Sequence, residues 1–217
     1  MLRRILLFPF ALLYGLALRL RHGLYDRGLL KSTSPGLPTI VLGNLALGGT
    51  GKTPHVELVL RTLSDIGPLA TLSRGYGRTS RHFHEVRPED DASTAGDEPL
   101  MLKRKFREVR VFVGADRVPS VARIQHLAPE VKAVILDDAF QHRKLKGSLN
   151  IVLTTWQRPW GADALLPAGT LRDLPSRART ADAVIVTKCP ALPTADVQAQ
   201  WRSRLGLQND QPLFFSG

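Results

Sequence analysis

Four side chains in this sequence have the types that handle phosphate and magnesium. Lys52 and Thr53 close a glycine-rich run, Gly48-Gly49-Thr50-Gly51-Lys52-Thr53, and Asp137 and Asp138 stand side by side at the end of an apolar run. Gly48, Gly49 and Gly51 let consecutive backbone N–H groups curl around phosphate oxygens with no Cβ in the way, and Thr50 lies within that curl. Lys52 would supply a point charge to the β- and γ-phosphates, and the Thr53 hydroxyl would ligate Mg²⁺. The full pattern G-x-x-x-x-G-K-[ST] asks for glycine where Ala46 stands, yet the G-G-T-G-K-T core is in place. Carboxylates at the end of an apolar strand reach Mg²⁺ or its waters beside the phosphates, and two acids are more than a turn requires.

Such groups work only if secondary structure presents them together. The β-branched run Ile40 to Leu42 enters the glycine loop and the amphipathic Val56 to Leu63 leaves it, which is the strand–loop–helix order of a P-loop. A helix beginning there adds its positive N-terminal end to the cradle. Further strands are expected at Leu69 to Ser73, His82 to Val86 (an edge), Val109 to Val113, Ala133 to Leu136, Asn150 to Thr154, Ala183 to Thr187 and from Phe214. Helices are expected at Leu100 to Phe106, Val118 to Leu127 and Val197 to Leu205, with Asp90 to Ala95 as loop. Asp97 sits where a helix N-cap would. Arg74-Gly75-Tyr76-Gly77-Arg78 is a tight basic loop in which the glycines permit positive φ. The fold class is α/β, a P-loop sheet flanked by helices, whose strand ends gather the ligand.

The chain has 217 residues, enough for one good core or one core plus part of a second. A net charge of +11 calls for an anionic partner: nucleic acid, acidic lipid or a phosphorylated substrate. Nucleic acid is not expected, because aromatic residues make up only 6% and no basic helix with interleaved aromatics occurs. The single cysteine, Cys189, excludes an intrachain disulfide and reads as a packing residue. Near the N-terminus, Ile5 to Leu18 carries no charge, with Arg3 and Arg4 before it and Arg19, Arg21, Arg27 and Lys31 after it. That run is shorter than the ~20 residues a spanning helix needs, and it lacks a signal-peptide cleavage site. It reads as an amphipathic helix lying in a membrane surface, with Pro9 kinking it or marking a start near Phe10. The arginines would meet anionic headgroups.

Five ordered motifs then resemble one family. Val41 to Leu45 running into Gly48 to Pro54 is similar to the P-loop of the tetraacyldisaccharide 4′-kinases, a family that tolerates a non-glycine at the position of Ala46. Ser73 to Arg78, Gly96-Asp97-Glu98-Pro99 and Leu136 to Arg143 resemble its next three signatures. Leu166 to Asp173 resembles a fifth, with Arg172-Asp173-Leu174 where the family usually has Arg-Glu-Pro. The resemblance implies ATP-dependent phosphoryl transfer to the 4′-hydroxyl of a tetraacylated, 1-phosphorylated glucosamine disaccharide. It places this chemistry at the cytoplasmic face of the bacterial inner membrane, with the protein peripheral and the N-terminal helix reaching the lipid. By motif position it implies Lys52 and Asp138 in catalysis, and Thr53, Asp137 and Asp138 at Mg²⁺. Asp97 becomes the general base, and Arg172 and Asp173 lie near the nucleotide.

The expected organisation is a membrane-associating region at 1–30, a P-loop kinase lobe at 31–150, and a linker with the start of a second α/β lobe at 151–217. The family continues past this point, where its members carry a histidine supporting the catalytic aspartate. The chain therefore reads as a truncated member, expected to keep nucleotide binding but not full turnover. The competing readings are another P-loop kinase or ligase acting on a small metabolite, a nucleic-acid-binding ATPase, and a nucleotide-binding peripheral membrane protein.

Overall fold

The computed structural model describes residues 2–217, with side chains described from Arg4 onward. In chain order the first elements are α1 (Leu2–Asp26), β1 (Thr39–Asn44), α2 (Lys52–Thr62), β2 (Leu69–Ser73), β3 (His84–Glu85), α3 (Ala92–Ala95) and α4 (Asp97–Lys105). They continue with β4 (Arg110–Val113), α5 (Arg117–Leu127), β5 (Ala133–Asp137), β6 (Leu149–Thr155), β7 (Ala183–Thr187), α6 (Ala195–Leu205) and β8 (Leu213–Phe215). The chain divides into two compact units that interleave in sequence. One holds Met1–Lys31, Gly43–Gly51 and Asn150–Gly217; the other holds Ser32–Leu42 and Lys52–Leu149.

In the second of these, the strands lie in the order β3-β4-β2-β5-β1. All neighbours are parallel except β3, which runs antiparallel on β4. A parallel strand covered on both faces needs a continuous apolar run rather than alternation. β5, Ala-Val-Ile-Leu-Asp, is such a run and is buried throughout. The helices α2, α4 and α5 pack on β5, β4 and β2. Their inner stripes, for example Val56 and Leu60 on α2 and Val121 and Ile124 on α5, are almost fully buried. Register sets the active edge: Leu42 lies beside Asp137, so β1 ends level with the carboxylate that closes β5.

The other unit carries β6, β7 and β8, all parallel. Trp156, Trp201 and Phe215 form an aromatic cluster there. Helix α1 lays Ala11, Gly15, Leu18 and His22 against this unit, a spacing that follows one helix face. Gly15 is small for a reason: a Cβ there would sit 2.9 Å from Leu165 Cδ1. The opposite face is apolar and exposed, with Leu6, Leu13, Leu16 and Leu20 each more than 60% accessible.

The strands expected at Leu69 to Ser73 and Ala183 to Thr187 form with those bounds. Three local expectations need correction. Pro9 does not mark a start near Phe10, since α1 runs through it, and the hydrogen bond it cannot donate would fall on Ile5, which is 64% exposed. The stretch Asp90 to Ala95 is not all loop, since Asp91 accepts from Thr94 N and caps the short α3. Asp97 is not an N-cap. Gly96, at φ 89°, takes that position, and Asp97 becomes the first residue of α4.

Candidate active site

In the unit containing α2, four of the sequence-selected residues come together. Lys52, at the start of α2, places Nζ 3.6 Å from Asp138 Oδ1. The Thr53 hydroxyl donates to Glu98 Oε1 at 3.2 Å, which leaves its oxygen lone pairs for a cation. Asp137 is 5% exposed, and its Oδ1 has no hydrogen-bond partner. Burial, with Glu98 and Asp138 adding negative charge, pushes its carboxyl up to about 6, against the pull of Lys52 and Arg117. Asp138 adopts φ 52°, a left-handed conformation that costs a non-glycine residue energy and recurs at functional turns.

Two members of this cluster are not among the residues selected from sequence. Glu98 orients Thr53 and adds negative charge at Asp137. Arg117 is 3% exposed and donates through Nη1 to Gly114 O and Ala115 O. Burial pulls its pKa down, while Asp138 and Asp137 hold its charge in place. Glu98 adjoins Asp97 inside a quoted motif, so the motif itself was a signal for it. Nothing local distinguishes Arg117, which opens an ordinary amphipathic helix.

Asp97 is exposed, and among the described residues no side chain hydrogen-bonds to it. It lines a cavity of about 810 Å³ with Leu100, Met101, Arg104 and Lys105, which recur along one face of α4. The basic Arg74–Arg78 loop is pressed against the turn before it. Gly75 has φ 68°, and a Cβ on Gly96 would lie 3.0 Å from Tyr76 O. The structure thus links Asp97 to the Lys52 cluster through its chain neighbour Glu98, without direct contact.

The glycine loop up to Gly51 is held within the other unit. Thr187 Oγ1 lies 2.9 Å from Thr50 O, and Lys188 Nζ donates to Gly49 O at 2.8 Å. Because a trans peptide points its C=O and the following N–H in opposite directions, anchoring these carbonyls turns the next amides the other way. Gly48 has φ 112° with nothing within 4 Å of its absent Cβ, so conformation and not crowding requires glycine there. Asn44 Nδ2 donates to Thr50 Oγ1 at 2.9 Å across the loop. Arg172 donates through Nη2 to both the backbone carbonyl and Oδ1 of Asn44. Asp173 is fully buried and lies 2.7 Å from His22 Nε2 of α1.

The donor set fits Mg²⁺. Among the described residues no group of three or more His, Cys, Asp or Glu is arranged to hold a metal alone. Mg²⁺ in nucleotide sites characteristically takes only one or two protein oxygens, with phosphates and water supplying the rest. Thr53 Oγ1 and the partnerless Asp137 Oδ1 are such oxygens.

The tetraacyldisaccharide-1-P 4′-kinase family model matches residues 3–212. A tetraacyldisaccharide 4′-kinase from Flavobacterium johnsoniae is 45% identical over 99% of this chain, and one from Bacteroides fragilis is 44% identical over 97%. The chain spans 63% and 56% of the lengths of those relatives. Among solved structures, LpxK from Aquifex aeolicus in complex with ATP superimposes with a TM-score of 0.80 at 29% identity, covering 100% of this chain and 82% of that one.

Proposed function

This chain belongs to the tetraacyldisaccharide-1-P 4′-kinase family, and on that premise we propose that it uses ATP to phosphorylate the 4′-hydroxyl of a tetraacylated disaccharide 1-phosphate in lipid A biosynthesis. The observation that carries the reading is the Lys52–Asp138 contact beside the buried, partnerless oxygen of Asp137, at the edge where β1 ends. That the Aquifex aeolicus relative was crystallised with ATP supports the choice of nucleotide.

In this mechanism the Gly48 to Gly51 loop holds the phosphate tail, and Lys52 neutralises charge on its β- and γ-groups. Thr53, Asp137 and Asp138 would hold Mg²⁺, which when bound supplies positive charge to the phosphate oxygens. Glu98 keeps the Thr53 hydroxyl turned so that its lone pairs stay available. Asp97 accepts the proton of the attacking sugar hydroxyl. The α4 cavity is lined by the carboxylates of Glu89, Asp90, Asp91 and Asp97 and by the cations Arg104 and Lys105, and of these acids Asp97 is the one on the first turn of α4. Arg172 and Asp173 serve the nucleotide through the cradle, by way of Asn44.

We assign residues 1–30 to membrane association, 31–150 to the kinase lobe and 151–217 to a linker and second lobe. Among the described residues α1 contains one stretch, Arg4–Asp26, long and apolar enough to cross a membrane. Its bonds support an in-plane position, and the face we assign it is the cytoplasmic one of the inner membrane. Arg4, Tyr14 and His22 are fastened to Asp163, Arg172 and Asp173, which span most of the helix length. A helix tied along its length can bury only its outward face in lipid, flanked here by Arg19 and Arg27.

The test is single-turnover transfer from γ-labelled ATP to a tetraacyldisaccharide 1-phosphate in mixed micelles. Label at the 4′-oxygen is the expected result. Label found only in inorganic phosphate, or equal transfer to a small soluble sugar, overturns the reading.

A further inference from the structure

Helix α1 and the glycine loop both make their hydrogen bonds to one segment, Asp163–Asp173. On the α1 side, Arg4 donates to Asp163 Oδ1 at 2.9 Å and to Ala168 O at 3.2 Å. Further along, the Tyr14 hydroxyl donates to Arg172 O at 2.8 Å, and His22 Nε2 meets Asp173 Oδ1 at 2.7 Å. The last pair is sealed, with side chains 6% and 1% exposed. Asp173 Oδ1 also accepts from Leu174 N, and its Oδ2 has no partner, so His22 is the one side chain that answers this buried carboxylate among the described contacts.

On the loop side the same segment runs as a strap along the cradle. Leu47 N donates to Thr170 O, and Arg172 N donates to Leu45 O, each at 2.8 Å. Ala46 and Leu171 form an antiparallel bridge. The Arg172 guanidinium holds Asn44, and Asn44 holds Thr50 inside the phosphate loop. Arg172 thus receives the Tyr14 hydroxyl on its carbonyl while its side chain orders the loop, and its neighbour Asp173 is pinned by His22.

We propose that Tyr14 and His22 are positioning residues for the nucleotide cradle, coupling the seating of α1 on an anionic lipid surface to affinity for a nucleoside triphosphate. This rests on the proposed function, in its nucleotide and membrane parts. The physical basis is a two-state helix. Seated, α1 satisfies Arg4, Tyr14 and His22 on the protein and turns Leu6, Leu13, Leu16 and Leu20 outward, with Arg19 exposed beside them. Unseated, it exposes those polar groups and strands the Asp173 carboxylate. Lipid favours the seated state because that state keeps the Tyr14 and His22 polar groups on the protein and out of the apolar layer while Arg19 meets the headgroups, and the seated state holds the strap that orders the loop. Linkage makes the effect reciprocal, so bound nucleotide strengthens vesicle binding by the same factor. It also gives the buried His–Asp pair a role that core packing alone does not require, since apolar residues would fill the same space without a desolvation cost.

The test measures, by calorimetry, the Kd of the chain for a non-hydrolysable ATP analogue with Mg²⁺. It is run with and without vesicles of phosphatidylglycerol and phosphatidylethanolamine, and vesicle binding is followed separately by sedimentation. Vesicles are expected to tighten the unsubstituted chain's Kd by roughly fivefold or more, the usual lower range of coupling between sites. His22→Ala should weaken nucleotide binding and abolish the vesicle effect, and His22→Gln, which restores a donor to Asp173, should recover both. Tyr14→Phe removes a single hydroxyl and is expected to fold; it should at least halve the vesicle-induced tightening. If His22→Ala does not fold, the Tyr14→Phe result decides. A Kd indifferent to vesicles that demonstrably bind, or a vesicle effect unchanged in Tyr14→Phe, overturns the coupling and leaves the proposed function standing. Failure to sediment with vesicles, or to bind nucleotide at all, overturns the coupling together with that part of the proposed function.

Discussion

Asp97→Asn slows single-turnover phosphoryl transfer by roughly 10²–10⁴, the usual contribution of a positioned general base, and leaves nucleotide affinity within about twofold. The split follows from where the carboxylate sits. Asp97 opens α4 on the rim of the 810 Å³ cavity, and no side chain among the described residues bonds to it. Its neighbour Glu98 is the residue turned toward the phosphate loop, through Thr53. Removing the Asp97 carboxylate would therefore withdraw the proposed proton acceptor without touching Lys52, Thr53 or the aspartate pair. Rapid-quench transfer rates and calorimetric Kd values measured on the same preparations check both halves. A variant that keeps the original rate would remove Asp97 from the chemistry. One whose loss lay entirely in nucleotide affinity would move it into the metal site.

Asp137→Asn makes the ligand-free protein more stable above pH 6, and less responsive to Mg²⁺ and nucleotide. The carboxyl is nearly inaccessible, its Oδ1 lacks a partner, and burial raises it from 3.8 to about 6. With the folded-state value above the unfolded one, the folded protein binds the extra proton between those limits. The stability that this proton confers is complete below pH 3.8 and is lost as pH rises through about 6. At 1.36 kcal/mol per pH unit the loss amounts to at most about 3 kcal/mol. Asparagine carries no charge to desolvate, so the variant should lack this pH dependence and melt higher at pH 8, by roughly 2–4 °C per kcal/mol recovered. Adding Mg²⁺ and an ATP analogue should then reverse the ranking, because only the carboxylate answers the cation. Thermal melts across pH 4–8, with and without ligand, read the whole pattern. A variant that melts lower than the unsubstituted chain at pH 8 would show that the carboxylate is already compensated.

Such a trade of stability for a ligand explains what could be read from the sequence. A buried parallel strand needs an unbroken apolar run, so β2 and β7 were legible with their bounds, and an acid ending such a run stood out at Asp137. The glycine loop was legible because few backbones other than a phosphate cradle require Gly48 and Gly51 at positive φ before a lysine. What stayed hidden was set by tertiary placement. His22 reads as one polar residue on an apolar helix, and its partner Asp173 lies 151 positions away. Arg117 gains its role only from the turn of β5 into Asp138, whose strained φ has no local signature. Gly96 displaced Asp97 from the cap because its positive φ continues the close packing against Gly75, a contact no propensity encodes. Helix α1 was under-measured at both ends, since charge marks where a membrane face stops and not where a helix does.

Asp137 and Asp138, beside Lys52, would hold the cation that accompanies the nucleotide's phosphates. Replacing Mg²⁺ by Mn²⁺ in the complex with an ATP analogue tests it directly, by reading paramagnetic broadening of the ³¹P resonances and of ¹³C-labelled aspartate carboxyls in one sample. The β- and γ-phosphates are expected to broaden together with Asp137 and Asp138, identified by their asparagine variants. Broadened phosphates with both carboxyls left sharp would contradict it.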